Sequence, residues 1–181
     1  MVMDILFCAK ERELQRERVD VRAFAEDVAR TVQPLFNSKN VELACEFDHH
    51  LGLFEVDAAM LRSALVNLLE NAAEACAAEG SVKSYRTVFG VEANAEVVGI
   101  LVEDNGIGMT PEQLKNLFTV FFSTKGSKGT GLGLFITDKI VRQHGGTITV
   151  DSAVGRGAKF GIMIPRRPPP PEAGSKLKAE G

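Results

Sequence analysis

Asn67 and Asn71 stand four residues apart in a stretch, Asp57 to about Ala78, that reads as a helix. That spacing puts both on one face. The face is offset from Leu61, Leu65, Leu68, Ala72 and Ala75, the stripe such a helix would bury. Asparagine is a poor interior helix residue, because its amide competes for backbone hydrogen bonds. Two among good helix formers need a reason, and an amide oxygen is a suitable neutral ligand for Mg²⁺, which keeps most of its waters and bridges phosphates. A second pattern, Asp104-Asn-Gly-Ile-Gly108, directly follows a predicted strand at Val97–Val102. Its glycines allow a tight turn and close backbone approach to a ligand, and an aspartate at a strand end can accept from an exocyclic amine such as that of adenine. In a third, Lys125-Gly-Ser-Lys-Gly-Thr-Gly-Leu-Gly133, the glycines at 126, 129, 131 and 133 fall just before or within the first turn of a predicted helix. Backbone N–H groups there point out unpaired and the helix dipole favours an anion, with Lys125 and Lys128 adding positive charge. In physical terms this is a phosphate cradle, although neither a GxxxxGK[ST] loop nor a strand-fed dinucleotide turn is present. Taken singly, each pattern also has a plainer reading: a polar helix face, an Asp-Asn-Gly surface turn, a flexible glycine-rich loop.

Together and in this order, the three resemble the boxes of the Bergerat-fold ATPases and kinases, the superfamily of gyrase, MutL and the histidine kinases. Asn67-Leu-Leu-Glu-Asn71-Ala is similar to their N box, Asp104–Gly108 to the G1 box, Phe121-Phe-Ser-Thr-Lys125 to the F box and Gly129-Thr-Gly-Leu-Gly-Leu134 to the G2 box. The run from Ile136 through His144-Gly-Gly146 to Phe160 and Pro165 resembles sensor histidine kinases in particular, and the likeness covers roughly Asp20 to Pro165. The resemblance implies ATP and Mg²⁺ as cofactors. Asn71 would hold the metal, and Asn67 would support the phosphates. Asp104 would bind the adenine amine, with Gly106 and Gly108 making room. Thr124 and Lys125 would lie near the outer phosphates. Gly129, Thr130, Gly131, Leu132 and Gly133 would wrap the phosphate chain, with further charge from Lys128. The segment from about Met109 to Lys128 would be a lid ordered by nucleotide.

Hydrolysing relatives carry a glutamate four residues before the metal asparagine. Asn67 stands there instead, so the site is expected to hold ATP without rapid hydrolysis. Glu70 does not replace that base, since neighbours in sequence do not share a helix face. Many histidine kinases have a basic residue three positions after the metal asparagine; Glu74 here is similar to the nitrogen-regulation type. Ala158 stands where many relatives place a small hydroxyl residue near the base. The implied activity is transfer of the γ-phosphate of ATP to a histidine on a dimerisation domain, and then to an aspartate of a response regulator. His49, His50 and His144 lack the setting of that acceptor; His144 reads as a helix C-terminal residue favoured by the dipole. An ATP-binding regulatory module, an anti-sigma-factor-type serine kinase and a gyrase-like hydrolase are the rival readings.

These residues must be positioned by a mixed set of elements. Helices are expected after Asp20, after Asp57, after the capping pattern Thr110-Pro-Glu-Gln113 and over Gly131–His144. Strands are expected at Val41–Phe47, Leu53–Val56, Arg86–Glu92, Val97–Val102, Thr147–Val150 and Lys159–Ile164. Pro34 should kink or end the helix that contains it. Without a regular strand–helix alternation, the order favours an α+β fold, a two-layer sandwich with a mixed, mainly antiparallel sheet covered on one face by helices. Residues 1–18 read as a remnant of a dimerisation helix, 19–165 as the catalytic domain and 166–181 as an extended, mobile Pro-rich tail.

The 181 residues are 45% hydrophobic and 25% charged, which suits one domain. A net charge of −3 and no basic cluster among aromatics exclude a nucleic-acid surface. Cys8, Cys45 and Cys76 are too scattered for a disulfide framework or a zinc site and read as free thiols of a reducing, cytoplasmic compartment. No apolar run is long enough to span a membrane, so no membrane contact is expected of this segment. The expected state is a monomer, drawn from a homodimeric, conceivably membrane-attached, full-length protein.

Overall fold

The computed structural model describes residues 13–76, 86–120 and 131–168. Residues 13–16 form no regular element, and Glu17–Asp20 is a strand, β1. The helix expected through Arg18 therefore does not reach that far; residues 1–12 lie outside the described part. The charged run at Glu13–Arg18 fits a helical period, but β3 (Leu53–Val56) offers an open ladder and β1 fills it antiparallel, Glu17 opposite Val56 and Asp20 opposite Leu53. Arg16 adds a hydrogen bond to the Glu55 carbonyl at 3.0 Å.

Asp20 then caps α1 (Val21–Ser38), its carboxylate accepting from Ala23 N at 2.8 Å. Such a cap contributes about 1 kcal/mol. Val21, Phe24, Ala25, Val28, Val32 and Phe36 form the buried side. Pro34 does not end this helix, which continues to Ser38. An interior proline costs about 3 kcal/mol, but Phe36 beyond it is fully buried in the core, and that burial repays a good part of the cost.

Asp57 caps α2 (Ala58–Cys76) through Met60 N at 3.1 Å. Leu61, Leu65, Leu68 and Ala72 are buried as the stripe requires, with Ala75 at its half-exposed edge. The end expected near Ala78 and Gly80 lies outside the described residues. The remaining strands lie where they were expected, with β2 starting one residue later and the others running further: β2 is Glu42–Phe47, β4 Arg86–Ala93, β5 Val97–Asp104, β6 Thr147–Ala153 and β7 Gly157–Pro165. They make one sheet in the order β2-β4-β5-β7-β6, in which β2 and β4 are parallel and the other pairs antiparallel. Two more helices complete the layer, α3 (Pro111–Lys115) and α4 (Gly133–Gln143).

Phe89, Val91, Val98, Ile100, Val102, Phe160, Ile162 and Ile164 alternate along three central strands and pack with the helices into one core. The expected two-layer α+β sandwich is thus the fold observed. Arg166 also belongs to it, not to the tail. Its guanidinium donates to the carbonyls of Leu51, Leu53 and Asn94, and its backbone pairs with Glu96 and Glu55. No helix among the described residues is long and apolar enough to cross a membrane.

Candidate active site

Helices α2 and α4 lie side by side in opposite directions. Asp57, before α2, meets His144 at the end of α4, while Asn67 in mid-α2 meets the start of α4. Asn67 Nδ2 donates to Thr137 Oγ1 at 3.2 Å, and that hydroxyl donates to the Gly133 carbonyl at 3.0 Å. A Cβ at Gly133 would stand 2.5 Å from Asn67 Oδ1, so the Asn67 amide fills the space that a side chain there would need. Leu132, the residue before α4, supplies no side-chain cap. The first-turn N–H groups of α4 thus have no side-chain cap at the point where the sequence places a phosphate cradle. Gly131, with φ +66, turns the chain into that position.

The second pattern approaches α2 one level further along. Asp104 ends β5 in phase with Val98, Ile100 and Val102, so its side chain enters the helix-covered side and is 5% exposed. Its Oδ1 accepts from Gly106 N at 2.8 Å, closing the turn on itself. Asn105 pins the turn to β4, its Oδ1 accepting from Arg86 N at 2.9 Å. Ile107 N donates to the Ala75 carbonyl of α2 at 3.1 Å, and Gly155 N donates to Ile107 O at 2.7 Å.

The glycines of this loop also serve the packing of the protein itself. A Cβ at Gly106 would come within 2.5 Å of Ala75 O, and one at Gly108 within 2.0 Å of Ala153 O. The space their missing side chains leave is taken by the protein's own carbonyls, which wedge the loop between α2 and the β6–β7 hairpin. Gly157 repeats this from the hairpin side: its Cβ would lie 1.9 Å from Asp104 O. Ala158 stands directly opposite Asp104 in the β5–β7 ladder.

Asn71 lies on α2 between the two contacts, four residues after Asn67 and four before Ala75, or about 6 Å along the axis from each. The three patterns therefore converge along two turns of one helix. Thr124, Lys125, Lys128, Gly129 and Thr130, with the Phe121–Lys125 box, lie outside the described residues. The part of the expected lid that is described begins with the capping box, Thr110 Oγ1 accepting from Gln113 N at 3.2 Å and Gln113 Oε1 from Thr110 N at 2.8 Å. Its helix ends at Lys115. A cavity of about 580 Å³ opens elsewhere, at the opposite end of β5, among Arg22, His49, His50 and Arg166, and includes none of these residues.

One position was missed from sequence, Thr137, whose signal is a hydroxyl four residues after Gly133 on the side of α4 that meets α2. His144 stands at the C-terminal end of α4 as expected, in surroundings that its spacing did not show. It is fully buried, with Nε2 accepting from Asp57 N at 3.0 Å and Nδ1 2.7 Å from the Ile140 carbonyl. An acceptor on one nitrogen and a carbonyl beside the other define the neutral Nδ1–H tautomer. Burial, foremost, pushes its pKa below the usual 6.5.

A family model matches residues 56–168, the span that holds α2, the loop, α4 and the hairpin; its description is histidine kinase-, DNA gyrase B- and HSP90-like ATPase. The chain belongs to this ATPase family. Its sequence is 32% identical over 168 residues to the signal transduction histidine-protein kinase AtoS of Escherichia coli strain K12, over 93% of this chain and 27% of AtoS. The chain thus spans about a quarter of that relative's length. It is similar to ShkA, solved full-length in complex with AMPPNP, with a TM-score of 0.78 and 27% identity over 90% of this chain and 34% of ShkA. It is also similar to histidine kinase ThkA in complex with the response regulator protein TrrA, with a TM-score of 0.76 and 26% identity over 92% of this chain and 46% of that one. Within this ATPase family the domain is of the histidine-kinase kind, an ATP-binding catalytic domain.

Proposed function

We propose that the domain binds ATP with Mg²⁺ where α2, the loop after β5 and the start of α4 meet, and transfers the γ-phosphoryl group to a histidine on a separate dimerisation domain. The P–O bond to ADP breaks as a P–N bond to the imidazole forms, which requires the attacking nitrogen in line with the leaving oxygen. Asp104 accepts from the adenine amine. Gly131, Leu132 and Gly133 offer N–H groups to the phosphates, extended by Thr124, Lys125, Lys128, Gly129 and Thr130.

Asn71 holds the metal and Asn67 supports the phosphates beside it. The residues present fit such an ion. Asn71 is a neutral oxygen donor one turn along α2 from Asn67, which meets a helix start suited to phosphate, and Mg²⁺ typically takes few protein ligands beside phosphate oxygens and water. Bound there, the ion would offset charge on the phosphate oxygens. The observation that carries the kinase reading is Asn67: an amide occupies the place of a hydrolytic base, tied by Nδ2 to Thr137, and an amide does not take a proton from water.

A response regulator is the next acceptor, as the ThkA–TrrA complex supports. Calorimetric titration with ATP, with and without Mg²⁺, alongside phosphate release and transfer to an added histidine-bearing dimerisation domain, tests the proposal. Mg²⁺-dependent binding, slow release and labelled histidine are expected. Rapid phosphate release would move the domain to the hydrolases, and binding without transfer to any acceptor would make it a regulatory module.

A further inference from the structure

We propose that Thr137 is a positioning residue that fixes which end of the Asn67 amide faces the nucleotide; this rests on Asn67 lying in the ATP site. Thr137 is fully buried on α4. Its hydroxyl has one proton, and that proton goes to the Gly133 carbonyl at 3.0 Å. Toward Asn67 the oxygen is then an acceptor only, so the atom facing it at 3.2 Å must be Nδ2. The amide oxygen is thereby turned toward the start of α4, over Gly133, where a Cβ would lie 2.5 Å from Oδ1. Reversed, the amide would set its oxygen against the lone pairs of Thr137. Its NH₂ would then face the electropositive end of α4, the less favourable sense at a helix N-terminus. Gly133 makes the room, Thr137 sets the sense, and Asn67 presents its oxygen to the water shell of a phosphate-bound Mg²⁺ without choosing between two rotamers when nucleotide arrives.

A packing role and a positioning role predict opposite orders for two variants. Thr137→Val keeps the volume and removes the hydroxyl, whereas Thr137→Ser keeps the hydroxyl and removes a methyl. ATP affinity in Mg²⁺ is expected to fall about 3- to 10-fold in Thr137→Val, the worth of one hydrogen bond, and to stay within about twofold in Thr137→Ser. Thermal unfolding should rank them the other way or equally. In an Asn67→Ala background, Thr137→Val should cost no further affinity, the test of coupling between them. Affinity that follows melting temperature across the series, or an equal loss in both backgrounds, would overturn the proposal. Unchanged ATP binding in Asn67→Ala alone would instead remove Asn67 from the site, and this role of Thr137 with it. If Asn67→Ala binds too weakly to titrate, the order of the two Thr137 variants decides.

Discussion

His144 Nε2 accepts the backbone N–H of Asp57 at 3.0 Å, joining the end of α4 to the start of α2. The bond satisfies one of the orphan donors of a helix entrance, while Asp57 Oδ1 takes the Met60 N–H and Oδ2 takes that of Gln15 at 3.0 Å. The helices that carry Asn67 and Gly133 are thus fastened at the ends remote from those residues.

Protonation of His144 would convert Nε2 from acceptor to donor and break this joint. Its folded pKa is lowered, mainly by burial, from 6.5. The unfolded chain therefore takes up the proton first as pH falls, so the contribution of His144 is complete above its unfolded pKa and declines below it. Urea unfolding between about pH 5 and pH 8 should show stability dropping on the acid side. His144→Gln, which does not titrate, should be less stable throughout and lose that component of the slope.

Asn71→Ala is expected to abolish the Mg²⁺-dependent part of ATP binding while leaving the fold intact. Asn71 is half-buried beside the buried stripe, so its truncation leaves Leu68 and Ala72 in place. Calorimetry with ATP in Mg²⁺ and in chelator checks this; equal affinities for variant and parent in Mg²⁺ would remove the metal assignment.

Asp104→Asn separates the two duties of that carboxylate. Its amide oxygen can still accept from Gly106 N, which leaves NH₂ facing the adenine amine, donor against donor. ATP affinity should fall by about 1.5–3 kcal/mol, the range for a hydrogen bond to a charged group, with little loss of stability. Asp104→Ala should lose both, since the Gly106 N–H is then buried without its acceptor.

Two glycines of the β6–β7 hairpin form a matched pair. Gly155 has φ +76 with open space around its Cβ position, and Gly157 has φ +85 with Asp104 O only 1.9 Å away. Gly155→Ala should cost about 1–2 kcal/mol, the left-handed penalty alone. Gly157→Ala adds a clash between backbone atoms and should cost clearly more than about 2 kcal/mol, weakening ATP binding as the loop shifts. Denaturant melts and ATP titration of both variants decide it.

The helices and strands were legible because their signals are local: Asp20, Asp57 and the Thr110 box at helix starts, period-2 apolar residues along β5 and β7. That the helix runs on past Pro34 was not legible, because burial of Phe36 is tertiary. Glu17 and Arg18 were misjudged because a strand edge more than thirty residues away decides their conformation. In the candidate site, Asn67, Asn71, Asp104 and the glycines could be singled out from type and spacing. The packing of Gly106 and Gly108 could not, because Ala75 O and Ala153 O come from other elements. Nor could the state of His144, which depends on Asp57 far earlier in the chain.

The wedging of Gly106 and Gly108 bears on inhibitors. A compound that takes its affinity from the loop after β5 would contact main-chain atoms at those positions. Escape by single substitution there is narrow, because nearly any side chain would strike a carbonyl before it reached the compound. Resistance should instead arise at Ile107, whose side chain is 55% exposed between the two and can change without disturbing either contact.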